Sequence, residues 1–155
     1  MRQPYTVLVF PFRLTAAGAE FAIFRRSDDS NWQCVSGGVE GDETMSQAAR
    51  RETAEETGLS NDRLMFKLNM VSGVEKNCFA ASSHWPADLY IVPKHFYATR
   101  VVEEDSEIQL SDEHREFRWM SYDEAYATLC YDDDRTALWE LNTRIVRGDM
   151  PVPEE

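Results

Sequence analysis

Three glutamates crowded onto one helical face constrain this chain more than any other feature of its sequence. Glu52, Glu55 and Glu56 lie within Thr44 to Thr57. That stretch is predicted as a helix, opened by a capping box of Thr44 with Gln47 and closed by Gly58. At about 100° of rotation per residue, the three carboxylates fall inside an arc of roughly 100°. Like charges so close repel one another and weaken an isolated helix. A bare acidic face of this kind is most simply a solvated surface. A bound divalent cation reverses the argument, because Mg²⁺ favours carboxylate oxygens, retained waters and substrate phosphates. Immediately upstream stand Gly37 and Gly38, at which the backbone is free to turn.

The rest of the chain predicts the setting for that helix. Tyr5 to Phe12 and Glu20 to Arg26 form a strand pair joined by a polar connection, Thr15 to Ala19. Trp32 to Ser36 is a short strand running into the double glycine. Leu64 to Ser72, His95 to Val102 and Glu116 to Met120 are further strands, and Gly73 to Asp88 is a long loop. Helices follow around Tyr122 to Leu129 and Arg135 to Val146, with Asp132, Asp133 and Asp134 placed favourably at the start of the last one. Strands and helices mix without regular alternation, so the expected fold is α/β of the α+β kind, a mixed sheet packed between helices. With 155 residues and no linker, the expectation is one domain over 1–155.

Charge and cysteine content narrow the function classes. Sixteen basic against 28 acidic side chains leave a net charge of −12, so neither a nucleic-acid polymer nor an anionic membrane is an expected partner. A small phosphorylated metabolite needs only a local basic pocket and a metal ion. The apolar runs are too short to span a bilayer and the N-terminus lacks a secretory pattern, which makes the cytoplasm the expected location. Cys34, Cys78 and Cys130 suit neither a disulfide framework nor a zinc site, and are read as small buried hydrophobes rather than nucleophiles. A homodimer is compatible with all of this.

The whole segment from Gly37 to Leu59 resembles the Nudix box. Gly37, Glu43, Arg51, Glu52, Glu55, Glu56, Gly58 and the apolar Leu59 match it with spacing intact. Chance agreement of the fixed residue types is on the order of once in 10⁸ to 10⁹ starting positions. The one departure is Thr53, where the family carries an apolar residue. The resemblance implies a Nudix-type α/β/α sandwich with a mixed sheet and the box as loop–helix–loop. It also implies that Glu52, Glu55 and Glu56 hold Mg²⁺, with Mn²⁺ able to substitute, and that Glu52 is a candidate base. Arg51 would orient these carboxylates and pair with Glu43, a structural acid. Gly37 and Gly38 would let the backbone approach the metal, with a carbonyl at Ser36 or Gly37 as a ligand. Metal would polarise the phosphoryl oxygens and activate water for in-line attack.

Outside the box, Arg25-Arg26, Trp32 to Gly38 and Leu110 to Trp119 look like the branch of the family that acts on dATP and dihydroneopterin triphosphate. By that match Glu113 is the acid outside the box, either a further metal ligand or the base; the plainer reading is an exposed loop acid. Arg26 is a candidate phosphate contact, Trp32 a ring-stacking residue, and Gln33 a reader of a ring edge. His84 could reach phosphate and Arg135 could face the substrate. A proline typical of relatives that act on ADP-ribose is absent, with Val74 in its place. A tyrosine typical of those that act on dinucleoside polyphosphates is replaced at Glu75, Lys76 and Asn77. The expected reaction is therefore Mg²⁺-dependent cleavage of a nucleoside or pterin triphosphate to the monophosphate and pyrophosphate. The rivals are ADP-ribose, a nucleotide sugar or a dinucleoside polyphosphate as substrate, RNA end-processing, a catalytically silent binding module of the same fold, and an acidic scaffold without a ligand.

Overall fold

A computed structural model describes residues 1–102 and 107–154. Seven strands form one mixed sheet: β1 (Arg2–Thr15), β2 (Gly18–Arg26), β3 (Trp32–Gln33), β4 (Val35–Glu40), β5 (Phe66–Glu75), β6 (Ile91–Arg100) and β7 (His114–Met120). Three helices accompany it: α1 (Met45–Thr57), α2 (Tyr122–Thr128) and α3 (Asp132–Arg147). Among the described residues only β1 and β6 pair in parallel, and the other strand pairings are antiparallel. Among the described residues no helix is long and apolar enough to cross a membrane.

The sheet is apolar on both faces because the period-two alternation of β1 carries large residues on each side. Leu8, Phe10 and Phe12 join Phe21, Phe96 and Leu68 in one cluster, packed against Ala125 of α2 and Ala137, Leu138 and Leu141 of α3. Val7 and Val9 join Ala22, Phe24, Val35 and Tyr97 in a second cluster against Ala48 and Ala49 of α1. The small alanines bring α1 close to the sheet. This is the helix–sheet–helix sandwich implied by the family resemblance.

β1 forks the sheet, and the fork makes the site. One edge of β1 pairs with β6 over Thr6 to Phe12. The other edge pairs first with β4, over Arg2 to Val9, and then with β2, over Phe12 to Thr15. The chain therefore changes neighbours at Cys34: Gln33 still pairs with Phe24 of β2, whereas Val35 already pairs with Val9 of β1. The expected single strand Trp32 to Ser36 is thus two strands. Gly37 and Gly38 lie inside β4, opposite Val7 and Thr6, rather than at a turn. What they supply is the absence of a side chain.

Other boundaries move for identifiable reasons. The β1–β2 connection shrinks to Ala16-Ala17, because Arg13 and Glu20 pair across the ribbon and the Thr15 hydroxyl donates to the Gly18 carbonyl, extending the hairpin into polar sequence. Gly18 takes the positive φ that this tight turn needs. β5 runs on to Glu75, and two 3₁₀ turns, Lys76–Cys78 and Ala80–His84, occupy much of the expected loop. β6 begins at Ile91 and β7 at His114, earlier than their apolar patterns suggest. α3 starts at Asp132, so all three aspartates lie in its first turn. In β5 the pairing to β6 breaks between Lys67 and Val71, and the Asn69 and Met70 amides there donate to the Glu140 carboxylate of α3. Cys34 is buried as expected, but Cys78 and Cys130 are exposed, since each sits in a connection rather than in a core-facing element.

Candidate active site

α1 is built to present its acids at the fork. Thr44 caps its start, accepting from the Gln47 amide while the Gln47 side chain accepts from the Thr44 amide. Gly58 ends it with φ 73°, donating to the Ala54 carbonyl. The hydroxyl of Thr53, the departure from the family pattern, donates to the Ala49 carbonyl at 2.8 Å. Its polar atom is thereby satisfied, and Thr53 occupies an apolar position fully buried.

On the buried face of this helix sits Glu56, only 1% exposed. Its Oε2 accepts from the Ser36 amide at 3.1 Å, and among the described residues no N–H or hydroxyl group donates to its buried Oε1. Burial pushes the carboxyl up to about 10, and the side chain of Glu113 and the charge of Glu52 add to the effect. Glu113 reaches this position because its loop is tied to the turn after β2. The Ser27 amide donates to the Glu113 carbonyl at 2.9 Å, and the Ser27 hydroxyl to the Asp112 carbonyl at 2.8 Å.

Arg51 organises the neighbouring acids. It grips Glu43 through two bonds, Nη2 to Oε1 at 2.6 Å and Nε to Oε2 at 3.1 Å. It also donates to Glu52 at 2.8 Å, to Glu55 at 3.4 Å and to the Gly38 carbonyl at 2.8 Å. This grip lowers the Glu43 carboxyl below its ordinary range. Glu52 is instead pushed up, by burial, with its hydrogen bond to Arg51 opposing the shift. The double glycine explains how so much charge fits. A Cβ on Gly37 would lie 2.0 Å from Glu52 Cδ, and one on Gly38 would lie 2.6 Å from the guanidinium carbon of Arg2.

A cavity of about 580 Å³ opens over this floor, lined by Ser36, Gly37, Gly38, Glu52 and Glu113. Three cations also line it: Arg2 from β1, Arg26 from the end of β2, and Lys94 from β6. Arg26 is held by Asp28 through two bonds, at 2.6 and 2.8 Å, and Lys94 is 2.6 Å from Asp133. Neither Arg2 nor Lys94 is signalled by the sequence, since each stands alone among strand residues and only the sheet register brings it here.

Several residues singled out in the sequence lie elsewhere. Trp32 does not line the cavity; its ring sits under the guanidinium groups of Arg25 and Arg118, at 5.9 and 5.4 Å. Gln33 alternates to the inside, where it meets His114 Nε2 at 3.0 Å and Arg26 at 3.5 Å, so it supports cavity residues without lining the cavity. His84 sits on the second 3₁₀ turn, away from the cavity lining. Arg135 clasps the α2–α3 junction instead, donating to the Tyr126 and Leu129 carbonyls and pairing with Asp132. Glu55 is the most solvent-exposed of the three box acids.

The donors present suit a hard divalent cation. All are carboxyl oxygens, and buried Glu56 Oε1 receives no hydrogen bond from an N–H or hydroxyl group among the described residues, the neighbouring Glu113 carboxyl being able only to share a proton with Glu56. As the side chains stand, no cluster of three or more His, Cys, Asp or Glu that could hold a metal ion occurs among the described residues. Glu52 and Glu55 are turned toward Arg51, and would have to swing from it toward Glu56 and Glu113 to share an ion.

Comparison with known proteins agrees with this geometry. The family model described as NUDIX domain matches residues 4–139. An RNA pyrophosphohydrolase of Caulobacter vibrioides is 37% identical over 114 residues, 64% of this chain and 61% of that protein. The chain therefore spans about three-fifths of the length of that relative. The asymmetrical bis(5′-nucleosyl)-tetraphosphatase of Rattus norvegicus is 28% identical over 122 residues, 78% of this chain and 77% of that protein. Among solved structures, a NUDIX hydrolase of Listeria monocytogenes superimposes with a TM-score of 0.87 at 37% identity, covering 97% of this chain and 99% of the other. The E. coli dihydroneopterin triphosphate pyrophosphohydrolase gives a TM-score of 0.73 at 22% identity over 92% and 97% of the two chains, a likeness of fold.

Proposed function

The chain belongs to the Nudix family, and from that premise we propose that it is a Mg²⁺-dependent pyrophosphohydrolase acting on a nucleoside or pterin triphosphate. The observation that carries the proposal is Glu56, a buried carboxyl with a free oxygen, set beside Glu113 behind a cavity lined by cations. Glu52, Glu55, Glu56 and Glu113 would hold the ion. When bound there, Mg²⁺ supplies polarisation of the phosphoryl oxygens and a lowered pKa for water.

The chain's own residues do the rest. The Ser36 amide fixes one oxygen of Glu56, leaving the other directed to ligation. Arg51, locked by Glu43, releases or recaptures Glu52 and Glu55 as the site fills. Glu52, raised by burial, is suited to accept a proton from the attacking water, with Glu113 as the other candidate. Arg26 stands where a phosphate oxygen could replace an aspartate partner. Attack on phosphorus then expels pyrophosphate and leaves the monophosphate.

The relatives named for RNA ends and for dinucleoside tetraphosphates support two rival substrates. A net charge of −12 counts against a long polyanion, so the free triphosphate is favoured. The test is a panel of dATP, dihydroneopterin triphosphate, a 5′-triphosphorylated RNA, a dinucleoside tetraphosphate and ADP-ribose, each with Mg²⁺ or with EDTA. The expected result is rapid, EDTA-sensitive release of pyrophosphate from one of the first two. Faster turnover of any other member would overturn the substrate assignment, and hydrolysis unaffected by EDTA would overturn the mechanism.

A further inference from the structure

The three cations lining the cavity are not equivalent. Arg26 is engaged by Asp28 and lies 3.5 Å from Asp29, and Lys94 is engaged by Asp133. Arg2 forms no ion pair among the described residues. Its Nη2 donates to the Thr6 hydroxyl at 3.2 Å, and its Nε is buried with no acceptor among the described residues. A buried donor left unsatisfied is costly, more so when charged, so such a group is retained where the rest of its guanidinium serves a purpose.

The surroundings of Arg2 hold it in place. Its guanidinium carbon lies 4.8 Å from the centre of the Phe79 ring. Phe79 leans on Trp85 with ring centroids 5.7 Å apart, and Trp85, only 8% exposed, donates from Nε1 to the Arg2 carbonyl at 2.9 Å. The segment of 3₁₀ turns between β5 and β6 thus clamps both the main chain and the side chain of one residue. On the other side, Gly38 gives the guanidinium room that any side chain would fill. Glu40 and Glu52 are near enough to act on its charge, but neither bonds to it.

We propose that Arg2 is a substrate-phosphate ligand of this site, laid over Gly38 and held by Phe79 and Trp85 so that the cavity-facing edge of its guanidinium, which has no anionic partner among the described residues, meets an anionic oxygen. It marks the β1–β4 end of the cavity, as Arg26 marks the β2–β7 end. A chain of phosphates lying across Gly37 and Gly38 is then bound at both ends. This rests on the reading of the site as one for a phosphorylated substrate. A planar guanidinium can make two parallel bonds to a phosphate, which a lysine ammonium cannot reproduce.

The test compares wild type with Arg2→Gln, Arg2→Lys and Phe79→Leu, and with Arg13→Gln, which removes an equal charge outside the cavity. Two quantities are read: kcat and KM on the best triphosphate, and calorimetric affinity for inorganic tripolyphosphate with Mg²⁺. Arg2→Gln is expected to weaken tripolyphosphate affinity and raise KM by tenfold or more, with a smaller effect on kcat. Arg2→Lys should recover part of the loss, Phe79→Leu should show a milder form of it, and Arg13→Gln should match wild type. Tripolyphosphate affinity and KM within twofold of wild type for Arg2→Gln would overturn the proposal. So would equal losses in Arg2→Gln and Arg2→Lys accompanied by a lowered Tm, which would make the role structural. If no triphosphate is hydrolysed, the proposed function fails, and tripolyphosphate binding alone decides for or against Arg2. If wild type does not bind tripolyphosphate either, both fall.

Discussion

The acids and the cations of this cavity are assembled in opposite ways. Three of the four acids proposed to hold an ion come from one helix, where Glu52, which lines the cavity, and Glu55 and Glu56 behind it are neighbours in sequence, and Arg51 beside them spreads its bonds over Glu43, Glu52 and Glu55. Its basic side comes from three strands, with Arg2, Arg26 and Lys94 gathered by sheet register. The acids suffer from being together: burial and mutual repulsion hold Glu52 and Glu56 above their ordinary range. Two of the cations are quenched by aspartates, and Arg2 is not. An unfilled site thus keeps the buried carboxyl of Glu56 protonated at neutral pH on one side and leaves the Arg2 guanidinium without an anionic partner on the other. A cation with an anionic substrate satisfies both.

If that contrast is right, the largest effects belong to the buried acids. Glu56→Gln keeps the shape and the bond from Ser36 but removes a ligating oxygen, so kcat should fall by about 10²-fold or more. Steady-state kinetics at saturating Mg²⁺ would measure it. Thermal stability in EDTA should not fall, since the variant carries no charge to bury. A near-normal kcat would break the distinction between acids that act and acids that merely crowd. Glu113→Gln should cost less, on the order of tenfold, and fall on kcat more than on KM. Kinetics matching wild type would return Glu113 to an ordinary loop acid.

A smaller effect sharpens the comparison from outside the cavity lining. Asp134 is as buried as Glu56, at 1% exposure, and its Oδ1 also lacks a partner. Burial raises it from 3.8 to about 7, against the opposing charge of Lys94. A folded-state value above the unfolded one means that this group's contribution is fully favourable below about pH 4. That contribution is lost as pH rises through about 7, by up to roughly 4 kcal/mol. Asp134→Asn, which mimics the protonated acid, should therefore raise Tm by up to roughly 10 °C at pH 8 and change it little near pH 4. Thermal melts at the two pH values decide the matter, and a Tm gain independent of pH would contradict the assignment.

The same contrast sets what the sequence could reveal. The α1 acids were legible because a helix keeps neighbours in sequence on one face, and the Thr44 cap and Gly58 stop were visible as local chemistry. The mixture of strands and helices predicts a sheet packed between helices, and the apolar clusters on its two faces match that expectation. The change of partner at Cys34 was not legible, since nothing local says that a strand will leave β2 for β1. The resemblance makes Trp32 a ring-stacking residue, yet strand alternation turns Gln33 inward and leaves Trp32 under Arg25 and Arg118. Arg135 and His84 likewise had chemistry but no register. Arg2, Phe79 and Lys94 were missed because their only signal is long-range: Arg2 opposite Glu40, and Lys94 opposite Thr6.

Binding of Mn²⁺ alone, followed by the loss of its free-ion electron paramagnetic resonance signal, tests the central claim most directly. It asks whether the acidic side is a metal site before any substrate is involved. The account predicts saturable binding to wild type, weakened at least tenfold in Glu56→Gln and hardly altered in Arg2→Gln. Equal affinity in wild type and Glu56→Gln, or no binding to wild type at all, would contradict it.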